Sequence, residues 1–221
     1  MSWYVRLTRF ASVHMVHSQH AQNSCGMSSI AMINFKMKKG LLFAGMAAKA
    51  GFSIVPVVGS HVGSMLAKAA IATATKTEEQ VYAEYTKVTG APYDGSQYSD
   101  AMHFPAVLNN LGLGNWECVN VGEGGFAKAA KSATDSGAPV IGHVVWNGGG
   151  AHFVVIDENH LGYGCVCDPW DGHLHVVKMS DGKAVSYDAG NEPIGFDLGG
   201  KRNDYPTGQM GKFSGWIVRR K

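Results

Sequence analysis

Apolar positions recur along the chain with two different periods. Residues 3 to 17 alternate loosely, beginning WYVRLTRF, and predict a strand entering the domain. After Ser24 the period changes. Met27, Ile30, Ile33 or Asn34, and Met37 follow helical spacing, with Ser24 as an N-cap and Gly40 as a stop, so a helix over about Cys25 to Lys38 is predicted. TEEQVYAEYTKVTG (77–90) carries a capping box at Thr77 and Gln80, places Val81, Tyr85 and Val88 on one face, and ends at Gly90. AMHFPAVLNNLGLG predicts a helix with Pro105 in its first turn, WECVNV a strand, and GFAKAAKSATDSG an amphipathic helix closed by Gly137.

The C-terminal half reads differently. PVIGHVVW, AHFVVID, GYGCVCD, LHVVKM and GWIVRR are short Val/Ile-rich runs separated by Gly, Asn and Asp, the signature of strands in a mostly antiparallel sheet. Helices first and strands later is the α+β pattern: an N-terminal helical part packed on a C-terminal sheet. The length of 221 residues suits one domain over 1–221. Residues 41–75 stand apart as an Ala/Gly-rich insertion whose only formal charges are Lys49 and Lys68. Its charge-free stretch from Ala50 to Ala67 is interrupted by Pro56, Ser60, His61 and Ser64. Two short packed helices around a proline turn are expected there in preference to a membrane-inserting hairpin. The Gly59/Gly63 pair is too common a pattern to change that.

Charge narrows the function. A net charge of +2, with no basic run beyond the terminal RRK, argues against a nucleic-acid binder. Four scattered cysteines, Cys25, Cys118, Cys165 and Cys167, do not make a disulfide scaffold and suit a reducing setting. Arg9, His14 and His17 break the apolar character of the N-terminal stretch, so no secretory signal peptide is expected; export by a dedicated route would leave the same sequence, and localisation stays open.

Four residues are candidates for chemistry. Cys25 opens a helix, where unpaired backbone N–H groups favour the thiolate, and Gly26 beside it would let a substrate backbone approach. A lone cysteine otherwise packs as a small hydrophobe. His152 follows three glycines at the mouth of a strand and can project past the sheet edge as an acid/base group; taken alone it is a hairpin histidine. Asp168 closes the next strand, where a carboxylate would orient the imidazole, or merely start a turn before Pro169; Asp171 competes for the role. Gln19 could add a side-chain N–H to an oxyanion hole with the Cys25 backbone, and Gln22 is its rival.

These stretches, SQHAQNSCGMSS, HFVVI and DPWDG, together resemble the papain-like cysteine peptidases, in the branch of the bacterial C39-type peptidases and the AvrRpt2-like secreted effector proteases. There Gln, Cys, His and Asp occur in this chain order. The resemblance covers about 35 residues around His152 and about 15 around Cys25. It implies a papain-like fold, a thioester acyl-enzyme, and catalytic Cys25, His152, Asp168 and Gln19, with no cofactor. It further implies a protein or peptide substrate cut at a peptide or isopeptide bond, a setting as an exported bacterial toxin or effector, and an immunity or inhibitor protein as partner. Neighbouring readings are a peptidoglycan-cleaving amidase or endopeptidase, an acyl transferase, and a non-catalytic membrane- or partner-binding protein using 41–75.

His14, His17 and His20, with the Cys165/Cys167 pair near His173 and His175, raise a zinc reading. No second pair lies at zinc-finger spacing, so no metal is expected and the two thiols are expected to line a core or cleft face. Trp116, Trp146, Trp170 and Trp216 are core candidates; Trp146 and Trp170 also flank the candidate site in sequence and could line a substrate cleft.

Overall fold

The structure is a computed structural model that describes residues 2–8, 10, 12–40, 77–170, 172–188, 195–197 and 210–221. The predicted insertion at 41–75, including the Gly59/Gly63 pair, lies outside the described residues, as does Asp171. The architecture is α+β. The chain opens with β1 (Ser2–Thr8) and β2 (Val13–Ser18), then α1 (Cys25–Phe35), α2 (Thr77–Thr89), α3 (Phe104–Asn110), β3 (Trp116–Asn120) and α4 (Phe126–Asp135). Seven strands follow: β4 (Val140–Trp146), β5 (Ala151–His160), β6 (Tyr163–Asp168), β7 (His173–Lys178), β8 (Ser186–Asp188), β9 (Gly195–Asp197) and β10 (Met210–Arg220). No helix among the described residues is long and apolar enough to cross a membrane.

An antiparallel sheet of seven strands forms the body, in the order β3-β10-β4-β5-β6-β7 with β8 on β10. Side-chain alternation gives it two buried faces. Phe153, Val155, Cys165 and Cys167 face α1, α2 and α3, where Met27, Ile30, Ile33, Val81 and Phe104 complete one core. Val154, Ile156 and Val166 face α4, whose Phe126, Ala130 and Ala133 complete the other with Tyr187 and Phe213. A sheet covered on both sides explains why the strand runs are continuously apolar rather than alternating with polar residues.

The single N-terminal strand expected over 3–17 is a hairpin. β1 pairs antiparallel with β2, and β9 joins the far edge of β1. A polar turn breaks the run: Thr8 N–H donates to the Ser12 carbonyl at 2.9 Å, and the two hydroxyls share a 2.6 Å hydrogen bond. Loose alternation carries no sign of that reversal, because both halves present the same period.

α1 runs as predicted and continues through a π-helical turn over Lys36–Gly40. α2 ends at Gly90, with φ at +72°, and Val81 and Tyr85 are buried as expected. The Thr77 side chain is outside the described set, so the capping box is not described. Pro105 falls in the first turn of α3, after a short 3-10 turn started by Asp100, whose carboxylate accepts from Met102 N–H at 2.9 Å. One irregularity matters later. Ile156 pairs with Val166 and Glu158 with Cys165, leaving Asp157 as an extra residue in a β-bulge.

Candidate functional site

α1 packs lengthwise on β5, which brings its first residue to the strand mouth where β5 begins. Three polar side chains meet there. The Cys25 thiol, partly exposed, lies beside the His152 imidazole, near enough to act on its protonation. His152, only 3% exposed, is hydrogen-bonded through Nε2 to Asp168 Oδ1 at 2.8 Å. That leaves Nδ1 for the thiol. Asp168 is fully buried and has every oxygen occupied: Oδ1 also accepts from Trp170 N–H at 2.8 Å, and Oδ2 accepts from the Tyr187 hydroxyl. So Asp168 both starts the turn at Pro169 and holds the imidazole, the two roles set against each other in the sequence.

The electrostatics follow from that arrangement. Burial by itself would lower the His152 pKa, but the Asp168 charge and hydrogen bond and the Cys25 contact outweigh it and lift the imidazole to about 10. Burial by itself would raise the Asp168 carboxyl; the His152 charge and hydrogen bond, His175 and the Tyr187 hydroxyl hold it down at about 2. The pair is therefore ionised across the whole neutral range. Trp146 stacks on the His152 ring at 5.8 Å and Trp170 meets it edge-on at 6.4 Å, so both tryptophans lie where the sequence placed them. They limit water at the imidazole. Trp116 is buried under α3, while Trp216 is 38% exposed and is not a core residue.

Two strapped segments fix the Cys25 side. Gln19 N–H donates to the Pro169 carbonyl at 2.6 Å, clasping the stretch before α1 to the turn that carries Asp168. On the other flank Asn23 is tied to the 93–96 loop: its N–H donates to the Gly95 carbonyl at 3.1 Å, its side-chain amide donates to the Ser96 carbonyl at 2.6 Å, and its own carbonyl accepts from the Tyr93 hydroxyl at 2.9 Å.

Two local expectations change. Ser24 occupies the N-cap position, but its hydroxyl exchanges hydrogen bonds with Ala21 and does not cap the helix. The first-turn N–H groups of α1 therefore keep their positive end towards the thiol. The opening expected beside Gly26 is filled. Gly26 is buried, and a Cβ there would lie 2.4 Å from both Phe104 Cζ and Ser99 Oγ, so this glycine serves packing against α3.

Gln19 sits in the same neighbourhood with its amide turned inward. Nε2 donates to the carbonyls of Ala21 at 2.9 Å and Gln22 at 2.8 Å, which uses both hydrogens. Its Oε1 is buried and has no protein partner. An oxyanion role requires the amide to exchange one of those carbonyls for substrate. The rival Gln22 is exposed.

The zinc pattern read from sequence does not assemble as read. His17 is buried 3.2 Å from Glu78, His20 is exposed, and β6–β7 register puts Val176 and Leu174 opposite Cys165 and Cys167 while His175 meets Tyr187. Sequence reading missed Tyr187 and the Trp170 amide as supports of Asp168. Neither carries a sequence signal, because each arrives through a turn or a strand pairing formed elsewhere. No protein-family model and no curated protein matches the chain.

Proposed function

We propose that the protein is a papain-like cysteine peptidase that cleaves a peptide or isopeptide bond through a thioester acyl-enzyme. One observation carries the reading: a partly exposed thiol at an uncapped helix start stands beside a buried imidazole that is hydrogen-bonded to a buried carboxylate, in the order Cys25, His152, Asp168. A helix laid on an antiparallel sheet, with the thiol on the helix and the other two on neighbouring strands, further supports a papain-like arrangement.

Each step falls to a named group. With the proton already on His152, the Cys25 sulfur adds as thiolate to the substrate carbonyl. The Cys25 backbone N–H, with the Gln19 amide once it swings from its carbonyls, receives the developing oxyanion. His152 returns its proton to the departing amine, leaving the acyl group on sulfur. It then accepts a proton from water, whose oxygen attacks the thioester; the acid product leaves, and the Cys25 thiolate again faces a protonated His152. Asp168 keeps the ring turned with Nδ1 towards sulfur and offsets the imidazolium charge. The substrate class is a protein or peptide, and the natural setting is that of an exported bacterial toxin or effector with an inhibitory partner.

The test pairs cleavage of a quenched-fluorescent peptide library with thiol labelling. Iodoacetamide at mildly acidic pH, followed by peptide mass mapping, is expected to mark Cys25 alone, and Cys25→Ala is expected to lose cleavage with an unchanged melting curve. Cleavage that survives Cys25→Ala would overturn the assignment.

A further inference from the structure

At the opposite end of α1 lies a second cluster of ligating groups that the proposed catalysis does not use. The bulge at Asp157 turns two consecutive carboxylates, Asp157 and Glu158, to the side of the sheet that bears Cys165 and Cys167. His14 enters from β2 between them. Its Nδ1 is hydrogen-bonded to Asp157 Oδ2, its Nε2 lies 3.5 Å from Glu158 Oε1 and 2.9 Å from Ser12 Oγ, and a ring nitrogen lies within 4.8 Å of each thiol sulfur. Donor atoms of His14, Asp157 and Cys167 all lie within 4.8 Å of one another, and so do those of His14, Glu158 and Cys165. Lys36, just past the end of α1, pairs with Asp157 Oδ1 at 2.7 Å. Cys165 Sγ itself lies 3.6 Å from Glu158 Oε1.

We propose that this cluster is a structural binding site for one thiophilic divalent cation, zinc(II), with His14 as the shared ligand and thiolate and carboxylate donors from β6 and β5. Imidazole nitrogen, thiolate sulfur and carboxylate oxygen together are the donor set zinc favours. Charge is balanced on loading. A cation held by neutral His14, one thiolate and one carboxylate carries no net charge, Lys36 neutralises Asp157 beside it, and the displaced imidazolium and thiol protons leave to solvent. A β-bulge that re-aims two carboxylates at buried thiols is a costly arrangement for a merely apolar core, since thiols pack there unaided.

The ion would be structural and not part of the peptidase chemistry. Cys25 begins α1 and Lys36 follows its end, which sets the two clusters about 16 Å apart along an eleven-residue helix. There it would pin the β1–β2 hairpin and the end of α1 to the β5–β6 pair.

The test uses the full chain carrying Cys25→Ala and Cys118→Ser, so that Cys165 and Cys167 are its only thiols. After removal of metal with a chelator, zinc or cobalt(II) is added and the protein is gel-filtered. The expected result is about one zinc retained per chain by elemental mass spectrometry, a rise in Tm with zinc, and a near-ultraviolet sulfur-to-cobalt charge-transfer band in the cobalt form. Adding Cys165→Ser and Cys167→Ser should remove the band and all retained metal. No retained zinc, or a cobalt form without the sulfur band, overturns the proposal, and so does equal retention by the serine variant. If the serine variant does not fold, the cobalt spectrum of the parent decides alone. Neither outcome depends on whether the protein cleaves peptides.

Discussion

α1 carries a thiol-and-histidine cluster at each end, and the two are built on opposite plans. At its start, Cys25, His152 and Asp168 form a line in which the carboxylate end is fully buried and saturated with donors, and the sulfur end is partly open. At its finish, His14 is surrounded by Asp157, Glu158, Cys165 and Cys167, and both sulfurs are buried. Burial raises the Cys167 thiol to about 11 and also pushes Cys165 upward. The lesson is that the kinds of residue do not decide reactivity. A directional chain with one open end can move a proton to and from a substrate; a closed knot can only hold what lies inside it.

Removing the open end should give the largest effect. Cys25→Ala is expected to abolish cleavage, while its Tm stays near that of the parent; retained turnover would move the nucleophile elsewhere. Next, Asp168→Asn should lower kcat/KM by about 10²- to 10⁴-fold, because the imidazole loses both its orientation and its counter-charge. The pH profile sharpens this. A raised His152 pKa contributes stability that is complete below the ordinary histidine value and is lost as pH climbs through about 10. The lowered Asp168 pKa contributes stability that is complete above the ordinary aspartate value and is lost as pH falls through about 2. The parent's alkaline limb of activity should therefore lie near pH 10, and in Asp168→Asn it should drop towards neutrality.

A smaller change is expected from Tyr187→Phe. It removes one donor to Asp168 Oδ2 and should cost about tenfold in kcat and shift the acidic limb upward, with KM unchanged. A variant that only loosened the fold would lower Tm and leave the limb in place. Gly26→Ala tests packing beside the nucleophile. The new methyl meets Phe104 and Ser99 at 2.4 Å and should destabilise by about 1–3 kcal/mol in a denaturant melt. The gentlest contrast is kinetic: iodoacetamide should react with Cys25 first, with half-buried Cys118 later, and with Cys165 and Cys167 only after unfolding.

The regular elements were legible because periodicity reports which face is buried. α2, α4 and the strands β4 to β7 fall where the pattern put them, and Cys25, His152 and Asp168 come together as their order suggested. Long-range pairing was not legible. Nothing local announces that residues 3–17 fold back at Ser12, that Tyr187 reaches Asp168, or that Asp157 is the unpaired residue of a bulge. The histidine spacing in 14–20 misled for the same reason. Strand alternation sends His14 and His17 to different neighbourhoods, and only His14 meets the cysteines.

The length of α1 acquires a meaning from what hangs on its two ends. Deleting a single residue between Cys25 and Lys36 would rotate one end against the other by about 100° and shorten the rod by about 1.5 Å. Either the sulfur would swing off His152 or Lys36 would lose Asp157. Grafting this helix, or substituting a designed one, therefore succeeds only if the phase between those two positions is kept.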